Sequence, residues 1–190
     1  MATQNVREKI LKAGIDQFHR VGFNGSSVDD ITSLAGVPKG SFYNHFKSKE
    51  VLAVEALDRY ALGGPYSILM NKEVSPLRRM KQYFAKLAEG FVESGYTKGC
   101  LLGNFSSELS DHSDIVQSKL KHLFSNWSQL LASVIQEAQD AGEMKSSIKA
   151  TQLSGFVLSA WQGTLLRSRA LQDQSPLREF TQVMFHELLK

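Results

Sequence analysis

The chain has one cysteine, Cys100, among 190 residues. That excludes an internal disulfide framework and any cysteine-rich zinc site. It has four prolines, at 38, 65, 76 and 176, so little interrupts long helical stretches. No segment alternates apolar and polar residues as a half-buried strand must. No apolar run approaches the roughly 20 residues that cross a bilayer. The opening MATQNVREKI carries no apolar leader, so a cytoplasmic location without membrane association is expected. Charge of one sign is also scarce: 22 Lys+Arg against 19 Asp+Glu gives +3. Any nucleic-acid surface must therefore be local. Residues 1–50 hold seven basic and five acidic side chains, a slight local excess. There is no Gly-rich phosphate loop, no metal-ligand spacing and no Ser/Cys–His–acid arrangement in a recognisable setting. No cofactor or metal is expected, and an all-α enzyme is the weaker class of function.

What is present is helical periodicity. Val6, Ile10, Ala13, Gly14, Phe18 and Val21 share one face of a first helix, with Asn5 and Glu8 at capping-box spacing and Gly22 as its stop. Ser27 and Asp30 repeat the capping signature and open a second helix with Val28, Ile31 and Leu34 inward. Ala35-Gly36-Val37 makes a turn in which Gly36 can take positive φ. Pro38 is acceptable in the first turn of a third helix running to Phe46. Ser48 caps a fourth helix to about Leu62, and Gly63-Gly64-Pro65 breaks it. Further helices are expected over 75–95, 99–110, 114–141, 149–172 and 176–189. The class is all-α, with about nine helices: an N-terminal three-helix head over 1–47 and a helical body over 48–190.

The informative stretch is Ser26–Glu50. A helix-turn-helix works because one helix braces the DNA backbone while the next enters the major groove. Small Gly40 and Ser41 let the third helix approach base edges. Lys39 and Ser41 can donate to bases or phosphates, and Asn44 can pair with an adenine edge. Tyr43 and His45 suit phosphates. Lys49 places a charge beside the N–H groups that start the fourth helix, and Ser26 or Ser27 can act similarly at the second. Phe42 and Phe46, four apart, are expected to face the core.

These residues resemble the TetR family of bacterial transcriptional regulators. The likeness rests on Gly22-Phe23, Ser26-Ser27-Val28 before Ile31, Ala35-Gly36-Val37, Lys39-Gly40-Ser41-Phe42-Tyr43-Asn44-His45-Phe46 and Lys47-Ser48-Lys49-Glu50, and it covers roughly residues 5–60. Ser26-Ser27 stands where threonines are common in the family, which preserves the cap and hydroxyl. The resemblance implies a helix-turn-helix head with Tyr43 and Lys49 as phosphate anchors. It also implies a C-terminal body that dimerises and binds a small effector. Gly99-Cys100-Leu101-Leu102-Gly103-Asn104, followed by Glu108-Leu109-Ser110-Asp111, is similar to a segment of one subgroup of that family.

Within the body, Phe84, Phe91, Phe105, Trp127 and Trp161 are candidate effector-pocket walls, although aromatics at helical spacing are more often core. Cys100 is either a sensor of electrophiles or oxidants, following Lys98 and Gly99 near a helix start, or an inert small hydrophobe. The fold that the resemblance implies pairs the last two helices with their twofold mates, through Leu153, Phe156, Val157, Ala160, Thr164, Phe180, Val183 and Met184. The expected function is a repressor that binds a pseudo-palindromic double-stranded operator as a homodimer and is released by a small-molecule effector. An activator differs from it only in promoter architecture, and a helical interaction module is the remaining class.

Overall fold

The computed structural model describes residues 2–189, with side chains from Asn5 to Leu189. The described residues form ten α-helices and one π-helical segment, with no strand. They are α1 Ala2–Val21, α2 Val28–Ala35, α3 Gly40–Tyr43, α4 Lys49–Leu62, α5 Tyr66–Met70, α6 Pro76–Glu93, α7 Leu101–Leu109, α8 Asp114–Asp140, α9 Ala150–Leu171 and α10 Ser175–Val183, then the π-helical Met184–Leu188.

Four local expectations change. α1 begins at Ala2, so Asn5 and Glu8 lie inside the helix rather than at its cap. α5 lies within the stretch that looked like a break, entered through Pro65 and anchored by buried Leu69. The last helix widens into π geometry at Met184, where Phe185 comes within 6.5 Å of both Phe84 and Phe180. Leu34, expected inward, is 49% exposed. The buried side of short α2 is centred on Ile31 and Thr32, which turns Leu34 outward.

The chain packs as two compact units, one of residues up to 64 with 100–123, the other of 65–99 with residues from 124 on. In the first, α1 packs on α2 and α4, and α7 packs on α4. Gly14 makes the α1–α4 approach close: a Cβ there would lie 2.8 Å from Leu52 Cδ2. Phe18, Ile31, Phe42, Leu52, Leu57 and Phe105 are fully buried in this unit.

The second unit has an aromatic centre and a buried charge. The rings of Phe84, Trp161 and Phe180 lie 5.2–5.3 Å apart, a favourable separation for tilted and edge contacts. Arg79, 2% exposed, donates from Nη1 to Leu69 O at 2.6 Å and from Nη2 to the Glu137 carboxylate, which Lys72 also meets. α5, α6 and α8 are thereby tied around one guanidinium. The two cations hold Glu137 below the ordinary carboxylate range, with the Lys72 hydrogen bond the largest cause.

Glu137→Gln leaves Arg79 buried without its counter-charge. It should cost roughly 3 kcal/mol in denaturant unfolding at neutral pH, the low end for breaking a buried pair because Glu137 is partly exposed. The depressed folded-state pKa makes this contribution present above the ordinary glutamate range and lost as pH falls through the folded value. The gap between Glu137→Gln and the parent protein should therefore narrow in acid.

Candidate nucleic-acid interface

The interface is built from the α1–α2 turn, α2 and α3. Ser27 is the N-cap of α2: its Oγ accepts the Asp30 N–H at 3.0 Å, and the Asp30 carboxylate accepts the Ser27 N–H at 3.0 Å. This closes the capping box and lowers the Asp30 pKa, the Ser27 side chain being the largest cause. Gly36 ends α2 in the left-handed region at φ 65°, and Val37 N–H reaches back to Thr32 O at 3.0 Å.

α3 is shorter than its pattern suggests. Only Gly40–Tyr43 is α-helical: it is entered through i to i+3 bonds, Ser41 N–H to Pro38 O at 2.9 Å and Phe42 N–H to Lys39 O at 3.1 Å, and closed where Phe42 O accepts both His45 N–H at 3.0 Å and Phe46 N–H at 2.9 Å. So short a helix is held by its side chains. Phe42 and Phe46 are buried with rings 5.7 Å apart, and the Arg7 guanidinium lies 5.0 Å from the Phe46 centroid. With both phenylalanines inward, Lys39, Gly40, Tyr43 and Asn44 are exposed, and Ser41 and His45 are half-buried. The space a Cβ of Gly40 would enter is empty to 4 Å, and its φ is not in the left-handed region. Nothing in the fold requires glycine there.

Other expected DNA contacts are already engaged. Lys39 pairs with Asp29 at 2.7 Å, which raises its pKa chiefly through that hydrogen bond. The pair is exposed and so readily exchanged for phosphate. Ser26 is buried and donates its hydroxyl to Gly22 O. Lys49 donates to Phe23 O at 2.8 Å and Ser26 O at 2.7 Å, with its ammonium 4.0 Å from the Phe23 centroid. Burial lowers its pKa. Lys49 thus fastens the α1–α2 turn with two of its three donors. Asp29 was not anticipated, although its place on α2 ten residues before Lys39 was visible in the sequence. Glu108 of α7 was also missed as a partner of this turn: its Oε2 accepts the Asn24 N–H at 2.9 Å.

The six pocket or sensor candidates do not form one group. Phe84 and Trp161 share the aromatic centre. Phe91 packs edge-on against Tyr96, and Trp127 stacks on Phe124. Phe105 lies in the other unit, against Phe18 and Phe23. Cys100 is the buried N-cap residue of α7. Of the dimer candidates, Leu153, Val157, Thr164, Phe180 and Met184 are buried in their own subunit and Ala160 is half-buried. Phe156 and Val183 are more than half exposed, as are Leu166 and Leu171, which were not anticipated.

Residues 10–56 match the family model described as bacterial regulatory proteins, tetR family, and residues 76–184 match the tetracyclin repressor-like C-terminal domain. The chain belongs to the TetR family. This TetR-family regulator is 38% identical over 192 aligned residues to the HTH-type transcriptional repressor DhaR of Mycobacterium sp. strain GP1, covering 100% of this chain and 95% of that one. It is 25% identical to the HTH-type transcriptional repressor NemR of Escherichia coli K12, covering 91% and 88%. Its fold is similar to regulatory protein TetR from Rhodobacter sphaeroides, with TM-score 0.88, 26% identity and coverage of 94% and 96%. As a member of this family it is a DNA-binding transcriptional regulator. No helix among the described residues is long and apolar enough to cross a membrane.

Lys49→Met keeps the apolar stem and removes two charge-assisted bonds. Unfolding experiments should show a loss of about 2 kcal/mol. DNA affinity should fall without a change in its salt slope; a slope reduced by about one would instead make Lys49 a phosphate anchor.

Proposed function

We propose that this regulator is a ligand-responsive repressor that binds a pseudo-palindromic operator as a homodimer and leaves it when a small molecule occupies the body. Residues 1–47 act as the reading head and 48–190 as the effector and dimer region. Gly40 carries the DNA-reading assignment. It is exposed on α3 beside Lys39, Tyr43 and Asn44 with open space where a Cβ would stand, which suits close approach of a duplex. Asn44 and Ser41 are the base-reading candidates, Tyr43 and His45 the phosphate contacts, and Lys39 exchanges Asp29 for DNA. Two heads spaced about 34–36 Å apart would meet successive major grooves. The names of DhaR and NemR as repressors favour repression over activation.

The dimer face that fits best is the outer side of α9. Phe156 (57% exposed) and Leu166 (61% exposed) flank Gly163, where a Cβ would meet nothing within 4 Å. Ser159 and Ala170 continue the stripe at helical spacing. Small residues between large apolar ones suit close packing against a second α9.

For the effector, the second unit contains buried polar atoms without protein partners: Trp127 Nε1, Ser168 Oγ, Gln162 Nε2 and Arg79 Nε. Buried donors in folded proteins are nearly always satisfied. An indole N–H only donates, so a ligand beside Trp127 would be largely apolar and carry a hydrogen-bond acceptor. Such a ligand releases DNA only through unequal affinity for the two states of the protein.

The test is a titration against the protein's own promoter region with footprinting and a salt series. Protection of a pseudo-palindrome at nanomolar protein supports the proposal, and a genome-wide binding selection that finds no preferred site removes it. Tyr43→Phe should weaken operator and random DNA alike, whereas Asn44→Ala should change sequence preference. Phe156→Glu should yield monomers in sedimentation at micromolar concentration; an intact dimer would place the interface elsewhere.

A further inference from the structure

The α1–α2 turn is gripped from two sides. Lys49, at the start of α4, holds the Phe23 and Ser26 carbonyls. Glu108, in the last turn of α7, holds the Asn24 N–H across 84 residues of chain. The carboxylate also lies against Gly22: a Cβ there would sit 2.5 Å from Glu108 Oε1. Gly22 has φ 77°, so backbone conformation and space both call for glycine at this point. Three residues before Glu108 on the same helix, the fully buried Phe105 ring packs edge-on against Phe18 at 5.3 Å and Phe23 at 6.0 Å. The ring contacts fix how far α7 stands from the turn. The hydrogen bond is directional and fixes the angle. None of these residues lies on α3. The turn nevertheless sets where α2 begins, and α2 with Gly36 sets where α3 emerges.

We propose that Glu108 is a positioning residue for DNA binding: with Phe105 it ties the α1–α2 turn to α7, so the aim of α2 and α3 follows α7 as well as α4. α7 is the first helix after Gly99, where the chain re-enters this unit, and Gly95, Tyr96 and Gly99 just before it all have positive φ. Any displacement of α7 in a ligand-bound state would reach the reading helix through the Phe105 ring contacts and the Asn24 N–H. This regulatory consequence rests on the repressor reading; the tie itself does not.

The experiment uses full-length Glu108→Ala and Glu108→Gln with the operator that the wild-type protein selects from random duplexes. Glu108→Ala should lose about tenfold in operator affinity, the equivalent of one hydrogen bond of about 1.4 kcal/mol. Its affinity for random DNA should fall several-fold less than its operator affinity, because non-specific contacts tolerate a shifted α3 better than base contacts do. Its Asn24 amide should exchange faster with deuterium. Glu108→Gln retains an acceptor for that N–H and should stay within about threefold of wild type. Wild-type operator affinity in Glu108→Ala overturns the proposal. So does an equal fall of operator and random-DNA affinity, which would mark a purely structural role. Failure of the wild-type protein to select any sequence ends the repressor reading alone. Asn24 exchange then judges the tie, and an unchanged rate in Glu108→Ala overturns it.

Discussion

A four-residue helix makes too few internal hydrogen bonds to persist in water, so the reading edge of this protein exists only because Phe42 and Phe46 are buried. Burying each ring contributes roughly 2–3 kcal/mol, more than the helix itself can supply. The rest of the head serves that burial. Gly14 lets α4 come close to α1, the Ser27–Asp30 box fixes the start of α2, and Gly36 sends the chain back toward the core. Lys49 and Glu108 then hold the turn from which α2 departs. The exposed side chains of α3 are thus positioned by groups on α1, α2, α4 and α7.

The second unit is organised differently. Its centre mixes aromatic rings with a nearly buried guanidinium and a hydroxyl pair, Ser128 and Ser154, at 2.9 Å. Buried ion pairs stabilise little relative to apolar packing, but losing one partner is costly. Arg79 therefore fixes which arrangement of α5, α6 and α8 is allowed more than how stable it is. Polar atoms left without protein partners work the other way, because each lowers the stability of the packing around it.

Much of the head was legible from the sequence because its signals are local. The Ser27–Asp30 spacing, Gly36 in the turn, Ser48 as a cap and the inward Phe42 and Phe46 all follow from short-range rules. What escaped were pairings between residues far apart in sequence. Lys49 looked like a phosphate ligand because its nearest neighbours are helix N–H groups; the carbonyls it holds lie 23 and 26 residues away. Glu108 showed no sign of meeting Asn24. On α9 the resemblance implied a dimer seam that included Leu153, Phe156, Val157 and Thr164; of these Leu153, Val157 and Thr164 are buried, while Phe156 and the neighbouring Leu166 are exposed. A helix that is apolar on two faces gives one pattern for both.

The empty volume beside Gly40 has a consequence for how variants of this protein would be classed. Alanine there meets no atom and no forbidden backbone angle, and it favours the helix. A Gly40→Ala chain would keep its fold, yet if a duplex closes on α3 as proposed it would be held too far away. In the proposed homodimer it would leave one working head beside an idle one, so a change silent in folding terms would become dominant in the cell.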